Sequence, residues 1–194
     1  MNKTVLKKTF KFVPAILLGL CSTACGSDEP NNPEPPETPK SVKSVNVMYV
    51  FQTTEDMLRV ADIEAAWTNP DGTKDSAKMT KTKQQLVSTY KTFPATGNIS
   101  MKLTVKSPAP ADDEKFQLWA GCYLYAYEIT YSDGSTQTVM DSKFTPATST
   151  GLATLGKDVA KYLDKLNPQL SDVSYSITLD KNAEYGVSIT KIEK

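Results

Sequence analysis

The chain of 194 residues contains no histidine. That absence excludes Ser-His-Asp and Cys-His catalysis, zinc sites built on imidazole, and imidazole acid–base chemistry. A glycine-rich phosphate loop, a nucleophile elbow and a cysteine metal cluster are also missing from the sequence. Paired carboxylates are the catalytic device that such a chain retains, so Asp62 with Glu64 and the acidic loop at 112–114 are the candidates for a hydrolase or a calcium site. Solvated surface charge accounts for both groups, and we expect neither an enzyme nor a cofactor.

Long apolar runs are missing as well. The run from Phe12 to Leu20 has 9 residues, whereas a helix needs about 20 to span a bilayer. It follows four lysines and precedes small residues, which is the arrangement of an export signal over residues 1–24. Removal of that segment takes away four of the 22 basic residues and none of the 22 acidic ones, and leaves a net charge of −4. The chain therefore lacks the excess of basic residues that is typical of nucleic-acid-binding proteins.

Small residues stand directly before a cysteine at the end of this segment. Thr23 and Ala24 before Cys25 resemble the lipobox of bacterial lipoproteins, and Cys21 is the competing position. The resemblance implies that Cys25 carries acyl chains such as palmitate and that the membrane is a partner through this anchor. The following Ser27-Asp28-Glu29 resembles the acidic export signal of surface-exposed lipoproteins of Bacteroidota. It implies an outer-membrane location with display at the cell surface, and the periplasmic face is the alternative.

Residues 25–40 are rich in proline and acids and contain no large apolar residue, which is typical of an extended tether. The remaining residues, 41–194, are enough for one domain. If Cys25 is lipidated, Cys122 has no cysteine left to pair with, and its apolar surroundings predict a small buried side chain.

Alternation of apolar and polar residues predicts strands along most of this domain. The clearest is Ile99 to Val105, and Asp-Gly turns at 69–72 and 132–135 predict two hairpins. Leu58 to Thr68 is ambiguous, because Thr54 could cap a helix; we predict a strand. Helical spacing appears once, in an amphipathic segment at 152–166 that Asn167-Pro168 should end. The pattern predicts a mainly β protein, an antiparallel β-sandwich with one helix.

The strand Phe116 to Tyr131 is the centre of the predicted sheet, because both of its faces are apolar or aromatic. It is too long for an ordinary strand, so we expect a bend or bulge at Gly121. Its aromatic face is the candidate platform for stacking sugar rings, and packing in the core is the alternative. The candidate stacking residues are Trp67, Trp119, Tyr123, Tyr125 and Tyr127.

From Val42 to about Tyr131 the pattern also resembles immunoglobulin-like lipoproteins of Bacteroidota. The segments that carry the resemblance are Thr54-Glu55-Asp56-Met57-Leu58, Ala61-Asp62-Ile63, the turn from Asn69 to Thr73, and Phe93-Pro94-Ala95. The resemblance implies an immunoglobulin-like sandwich and an envelope location, and it brings no catalytic residues. Asp75-Ser76-Ala77 matches the motif for protein O-glycosylation in Bacteroidota, which implies a glycan on Ser76.

Two functional hypotheses follow. The first is a lipid-anchored binding or structural module of the cell envelope, with loops such as Ser107–Glu114 as its contact surface and an envelope protein as its partner. The alternative is a carbohydrate-binding lipoprotein of a polysaccharide uptake system, with a glycan as its partner.

Overall fold

Strands make up just over half of the residues that the structure describes, as the alternating pattern predicts. The computed structural model of the protein describes residues 40–140, 142–146 and 151–193; the predicted signal peptide, Cys25 and the predicted tether up to residue 39 lie outside them. The described residues contain two α-helices, α1 (Glu55–Val60) and α2 (Val159–Leu170). Their strands are β1 (Val42–Thr53), β2 (Ala61–Thr68), β3 (Lys74–Lys78), β4 (Lys83–Tyr90), β5 (Ala95–Val105), β6 (Lys115–Leu118), β7 (Ala120–Tyr131), β8 (Thr136–Val139), β9 (Leu152–Leu155), β10 (Val173–Leu179) and β11 (Val187–Ile192).

These strands form three sheets whose pairings are all antiparallel. Sheet A has the order β4-β1-β7-β8, sheet B has the order β11-β10-β5-β2-β3, and the small sheet C pairs β6 with β9. The prediction of a mainly β, antiparallel architecture is confirmed.

Sheets A and B pack against each other through alternate side chains. The Tyr49 ring of β1 meets the Tyr175 ring of β10 at a centroid distance of 6.0 Å. The main-chain N–H of Leu124 in β7 donates to the Tyr175 hydroxyl at 3.0 Å. Among the described residues, no buried side-chain nitrogen or oxygen lacks a hydrogen-bond partner. A hydrogen-bond partner offsets the free-energy cost of removing a polar atom from water.

The segment Leu58 to Thr68 corrects one prediction. Leu58 to Val60 belongs to α1, and only the residues from Ala61 onward form a strand. Thr54 is the N-cap, and its hydroxyl accepts the Met57 N–H at 3.3 Å. A cap of this kind satisfies an amide that has no partner within the helix. The buried side chains of Met57 and Val60 hold α1 against the core, and α1 connects β1 of sheet A to β2 of sheet B.

The predicted central strand is also divided differently. Trp119 belongs to neither strand, so β6 ends at Leu118 and pairs in sheet C, while β7 starts at Ala120 and pairs in sheet A. The Trp119 carbonyl accepts hydrogen bonds from the Thr53 hydroxyl at 2.8 Å and from the Thr54 N–H at 3.1 Å. These contacts turn the chain from one sheet to the other, so the expected bend falls beside Gly121 rather than at it.

The predicted helix at 152–166 begins later and ends later. Leu152 to Leu155 form β9, because their main chain pairs with β6, and α2 continues past Asn167-Pro168 to Leu170. The Asn167 amide donates to the Leu103 carbonyl at 2.9 Å and accepts the Leu103 N–H at 2.8 Å. β10 pairs with β5 only as far as Ile99, so the Asn167 side chain hydrogen-bonds main-chain groups of β5 that β10 does not reach. Among the described helices, none is long and apolar enough to cross a membrane.

Candidate functional site

The outer face of sheet A carries a group of large apolar and aromatic side chains. Phe51 of β1 belongs to the core, so its neighbour Val50 faces outward. Val50 pairs with Tyr123 of β7, and residues directly opposite each other in an antiparallel pair share a face. We call this surface the aromatic shelf and define it by four residues, Val50, Trp119, Tyr123 and Tyr125.

A β-bulge determines which tyrosines belong to the shelf. Met48 pairs with Ala126 and Tyr49 pairs with Leu124, so Tyr125 is the extra residue of β7. An inserted residue reverses the side on which later residues point. Tyr127 therefore pairs with the core residue Val47 and is itself buried, 7% exposed. The prediction that Tyr127 shares a face with Tyr123 is wrong for this reason.

Trp119 reaches the shelf from the turn between β6 and β7. Its six-membered ring lies over Gly121, where a Cβ atom would approach it to 2.8 Å. Gly121 is thus the residue that lets the indole approach the strand this closely, and an alanine there would displace it. The contact explains the glycine in an otherwise bulky strand.

Polar side chains line the shelf. The Tyr123 hydroxyl donates to Gln52 Oε1 at 2.8 Å, and Lys83 Nζ lies 5.3 Å from the centroid of the Tyr125 ring. Tyr123 is buried, while Trp119 and Tyr125 are half-buried and keep part of their rings accessible. Burial, and secondarily the neighbouring Tyr125, raises the pKa of Tyr123. The surface therefore offers ring faces, an amide and a cation within one patch.

Trp67, the remaining predicted stacking residue, lies on sheet B. Its ring centroid is 6.3 Å from that of Phe51 in the core, and its indole N–H donates to Asn69 Oδ1 at 3.2 Å. The five predicted residues consequently occupy three places: the shelf, the core and sheet B.

Ser76 is exposed on the edge strand β3, and its hydroxyl donates to Glu64 Oε1 at 2.6 Å. The site is accessible to a modifying enzyme, which would have to displace this hydrogen bond. Cys25, the predicted lipidation site, falls outside the described residues.

The candidate carboxylates have structural partners. Asp62 pairs with Lys78 at 2.7 Å, and its hydrogen bond to that lysine lowers the pKa of Asp62. A general acid needs the opposite shift. In the loop 112–114, Glu114 forms an ion pair with Arg59. The described residues contain no group of three or more acidic or cysteine side chains suited to a metal ion.

Cys122 points into the core and is 7% exposed, as its apolar neighbours predict. Burial raises the pKa of its thiol to about 12. A thiol that stays protonated at neutral pH is a poor nucleophile.

A polar groove on the outer face of sheet B had no counterpart in the sequence-based predictions. It has a volume of about 440 Å³ and lies between Lys74 on β3 and Ser171 and Asp172 after α2. Its floor includes Asn98 and Ser100 of β5. Small polar residues at alternate positions of β5 were the available signal, but only the pairing of four strands assembles them.

The comparisons with known proteins add no relative from which a function could be inferred. No family model matches the chain, and no significant match was found among curated proteins or solved structures.

Proposed function

We propose that this protein is a lipid-anchored binding module of the cell envelope that works without catalytic activity of its own, built as an immunoglobulin-like β-sandwich. The observation that carries the proposal is the aromatic shelf. The outer face of a sandwich sheet is ordinarily polar, whereas here Val50 is fully buried and Val87, on the same face, is 53% exposed. Tyrosine and tryptophan are also the residue types enriched at recognition surfaces.

The strength of such a surface comes from rigidity as well as area. β7 pairs with β1 on both sides of Tyr125, and the Trp119 carbonyl accepts hydrogen bonds from Thr53 and Thr54, so both rings are presented by a fixed backbone. Rings with two rotatable bonds lose little conformational entropy when a ligand covers them. A partner that buries these rings would therefore gain most of the hydrophobic free energy of contact.

Carbohydrate binding by a lipoprotein of a polysaccharide uptake system is the second candidate function. It is favoured by the combination of half-exposed rings at Trp119 and Tyr125 with Gln52 and Lys83. Sugar rings place apolar C–H groups on aromatic faces and direct their hydroxyls to polar side chains at the rim.

A binding assay with the full-length protein in detergent tests both candidates. Tyr125→Ala and Trp119→Ala should each lower the affinity for the captured partner at least tenfold. Tyr185→Ala, which removes a half-buried tyrosine from the distant β10–β11 turn, is the matched control. Capture of an envelope protein supports the first candidate, and binding on a glycan array supports the second. Full binding by both shelf variants would refute the shelf as the binding surface.

The anchor is tested by membrane fractionation. Cys25→Ser should release the mature protein from the membrane fraction, because the acyl chains supply the membrane affinity. Protease treatment of intact cells then distinguishes the cell surface, which we propose, from the periplasmic face. Globomycin-insensitive processing of the wild-type chain would contradict the lipoprotein assignment.

Ser76 is proposed as an O-glycosylation site because its side chain is exposed on an edge strand. Intact mass spectrometry of the protein from its native cells should show a mass that Ser76→Ala lacks. An unmodified native mass would overturn this proposal.

A further inference from the structure

The polar groove on sheet B is built from one row of residues across four strands. Lys74 of β3 pairs with Thr68 of β2, and Asn98 of β5 pairs with Ser174 of β10. The pairing of Trp67 with Ile99 places Thr68 next to Asn98, which completes the row. With strands about 4.8 Å apart, the row is roughly 14 Å long. All four side chains lie on the face of sheet B that points away from the core.

The depression exists because its floor has small side chains. Ala66 and Ser100 pair with each other beside the row. The adjoining depression on the same face, about 270 Å³, is lined by longer charged residues, which include Asp62, Glu64, Lys78 and Lys102. The short side chains beside the row accompany the larger open volume of about 440 Å³, which lies in the range of small-ligand sites.

The two ends of the groove differ in chemistry. At one end, Ser174 Oγ lies 2.7 Å from Asn98 Oδ1 and 2.8 Å from Asp172 Oδ1. Amide and carboxylate oxygens each accept more than one hydrogen bond, so ligand hydroxyls can donate to Asn98 and Asp172 beside the Ser174 hydroxyl. At the other end, Lys74 is exposed and makes no ion pair within the described part of the chain.

We propose that this groove binds an acidic saccharide. The sugar hydroxyls donate to Asp172 and Asn98, and the sugar carboxylate pairs with Lys74 at the opposite rim. An extended polyanion does not fit this arrangement, because one end of the groove carries a carboxylate. An apolar peptide does not fit either, because Thr68, Asn98 and Ser100 place hydroxyl and amide groups in the lining. This site is independent of the aromatic shelf, which lies on the other sheet.

Titration of the full-length protein with galacturonate, which carries a single carboxylate, followed by calorimetry, tests the proposal. The neutral sugar galactose and inorganic sulfate are the comparison probes. We expect galacturonate to bind best, and we expect Lys74→Gln and Asp172→Asn each to weaken it about tenfold, since each removes a hydrogen bond to a charged group. Lys181→Gln, which changes the same charge in the exposed β10–β11 turn, should bind like the wild type. Thermal unfolding of each variant checks that it is folded.

Three results would overturn the proposal: no binding of galacturonate, equal binding of galactose, or equal losses in Lys74→Gln and Lys181→Gln. Tighter binding of sulfate than of galacturonate would also overturn it, because it would show a simple anion site. Trp119→Ala should leave this titration unchanged, so failure at the groove and failure at the shelf are distinguishable.

Discussion

Gly97 should be irreplaceable because two tyrosine hydroxyls occupy the space of its missing side chain. A Cβ atom at this position would lie 1.8 Å from the Tyr49 hydroxyl oxygen and 2.9 Å from the Tyr90 hydroxyl oxygen. The two hydroxyls are hydrogen-bonded to each other at 3.1 Å, and both residues are buried, at 1% and 3% exposure. Gly97→Ala must therefore move the Tyr49 ring and disturb this hydrogen bond.

The magnitude follows from these contacts. Overpacking a core costs about 1–3 kcal/mol, and disturbing a buried hydrogen bond adds about 1 kcal/mol. We expect Gly97→Ala to lose about 3 kcal/mol of unfolding free energy, or roughly 6–12 °C in Tm for a chain of this size. Tyr49→Phe should cost only about 1 kcal/mol, because it removes the hydrogen bond to Tyr90 and leaves the packed ring in place.

The double variant separates a steric cause from a general loss of packing. Tyr49→Phe removes the oxygen that collides with the methyl group introduced by Gly97→Ala. The loss of unfolding free energy in the double variant Gly97→Ala/Tyr49→Phe should therefore be about 1–2 kcal/mol smaller than the sum of the two single losses. Urea unfolding followed by tryptophan fluorescence measures all three. Gly134→Ala is the control, because it lies at a positive φ of 85° with open space around it and should cost about 1 kcal/mol without coupling to Tyr49. Additive losses in the double variant would refute the reasoning.

Three further predictions concern stability. Gly156→Ala should lower Tm by more than Gly134→Ala in a thermal melt, because its Cβ would lie 1.8 Å from a main-chain oxygen, that of Ala111, which cannot rotate away; equal shifts would contradict this. Asn167→Ala should cost about 1–3 kcal/mol in urea unfolding and speed aggregation measured by light scattering, because it uncovers two main-chain groups of β5; an unchanged midpoint would argue against edge closure. Burial raises the pKa of Tyr175 from 10.0 to about 12, so the folded state holds this proton more tightly than the unfolded state. Its contribution to stability is fully present below pH 10 and falls by about 1.4 kcal/mol per unit between pH 10 and 12. Tyr175→Phe should flatten that fall in urea midpoints measured from pH 9 to 12, and an unchanged slope would exclude Tyr175 as its source.

Local signals in the sequence predicted the elements that depend on neighbours along the chain. The strict alternation from Ile99 to Val105 appears as the central strand of sheet B, and both Asp-Gly turns close hairpins. Thr54 caps a helix, as its residue type allowed, although a strand was predicted there. Such features need only the chemistry of a few consecutive residues, so the sequence is sufficient to recognise them.

The candidate sites depended on contacts that no local pattern contains. A simple period of two put Tyr123, Tyr125 and Tyr127 on one face, and a single inserted residue moved Tyr127 into the core. The groove required β3, β2, β5 and β10 to lie side by side, although Thr68 and Ser174 of its row are 106 positions apart.

The amino-acid sequence by itself therefore determined the strand-rich class and the exclusion of histidine chemistry, because these depend on composition and short-range periodicity. Only the tertiary structure decided which aromatic rings reach the surface and where the polar groove forms. The physical reason is that the register between paired strands, including one bulge, assigns every side chain to the core or to the outer face.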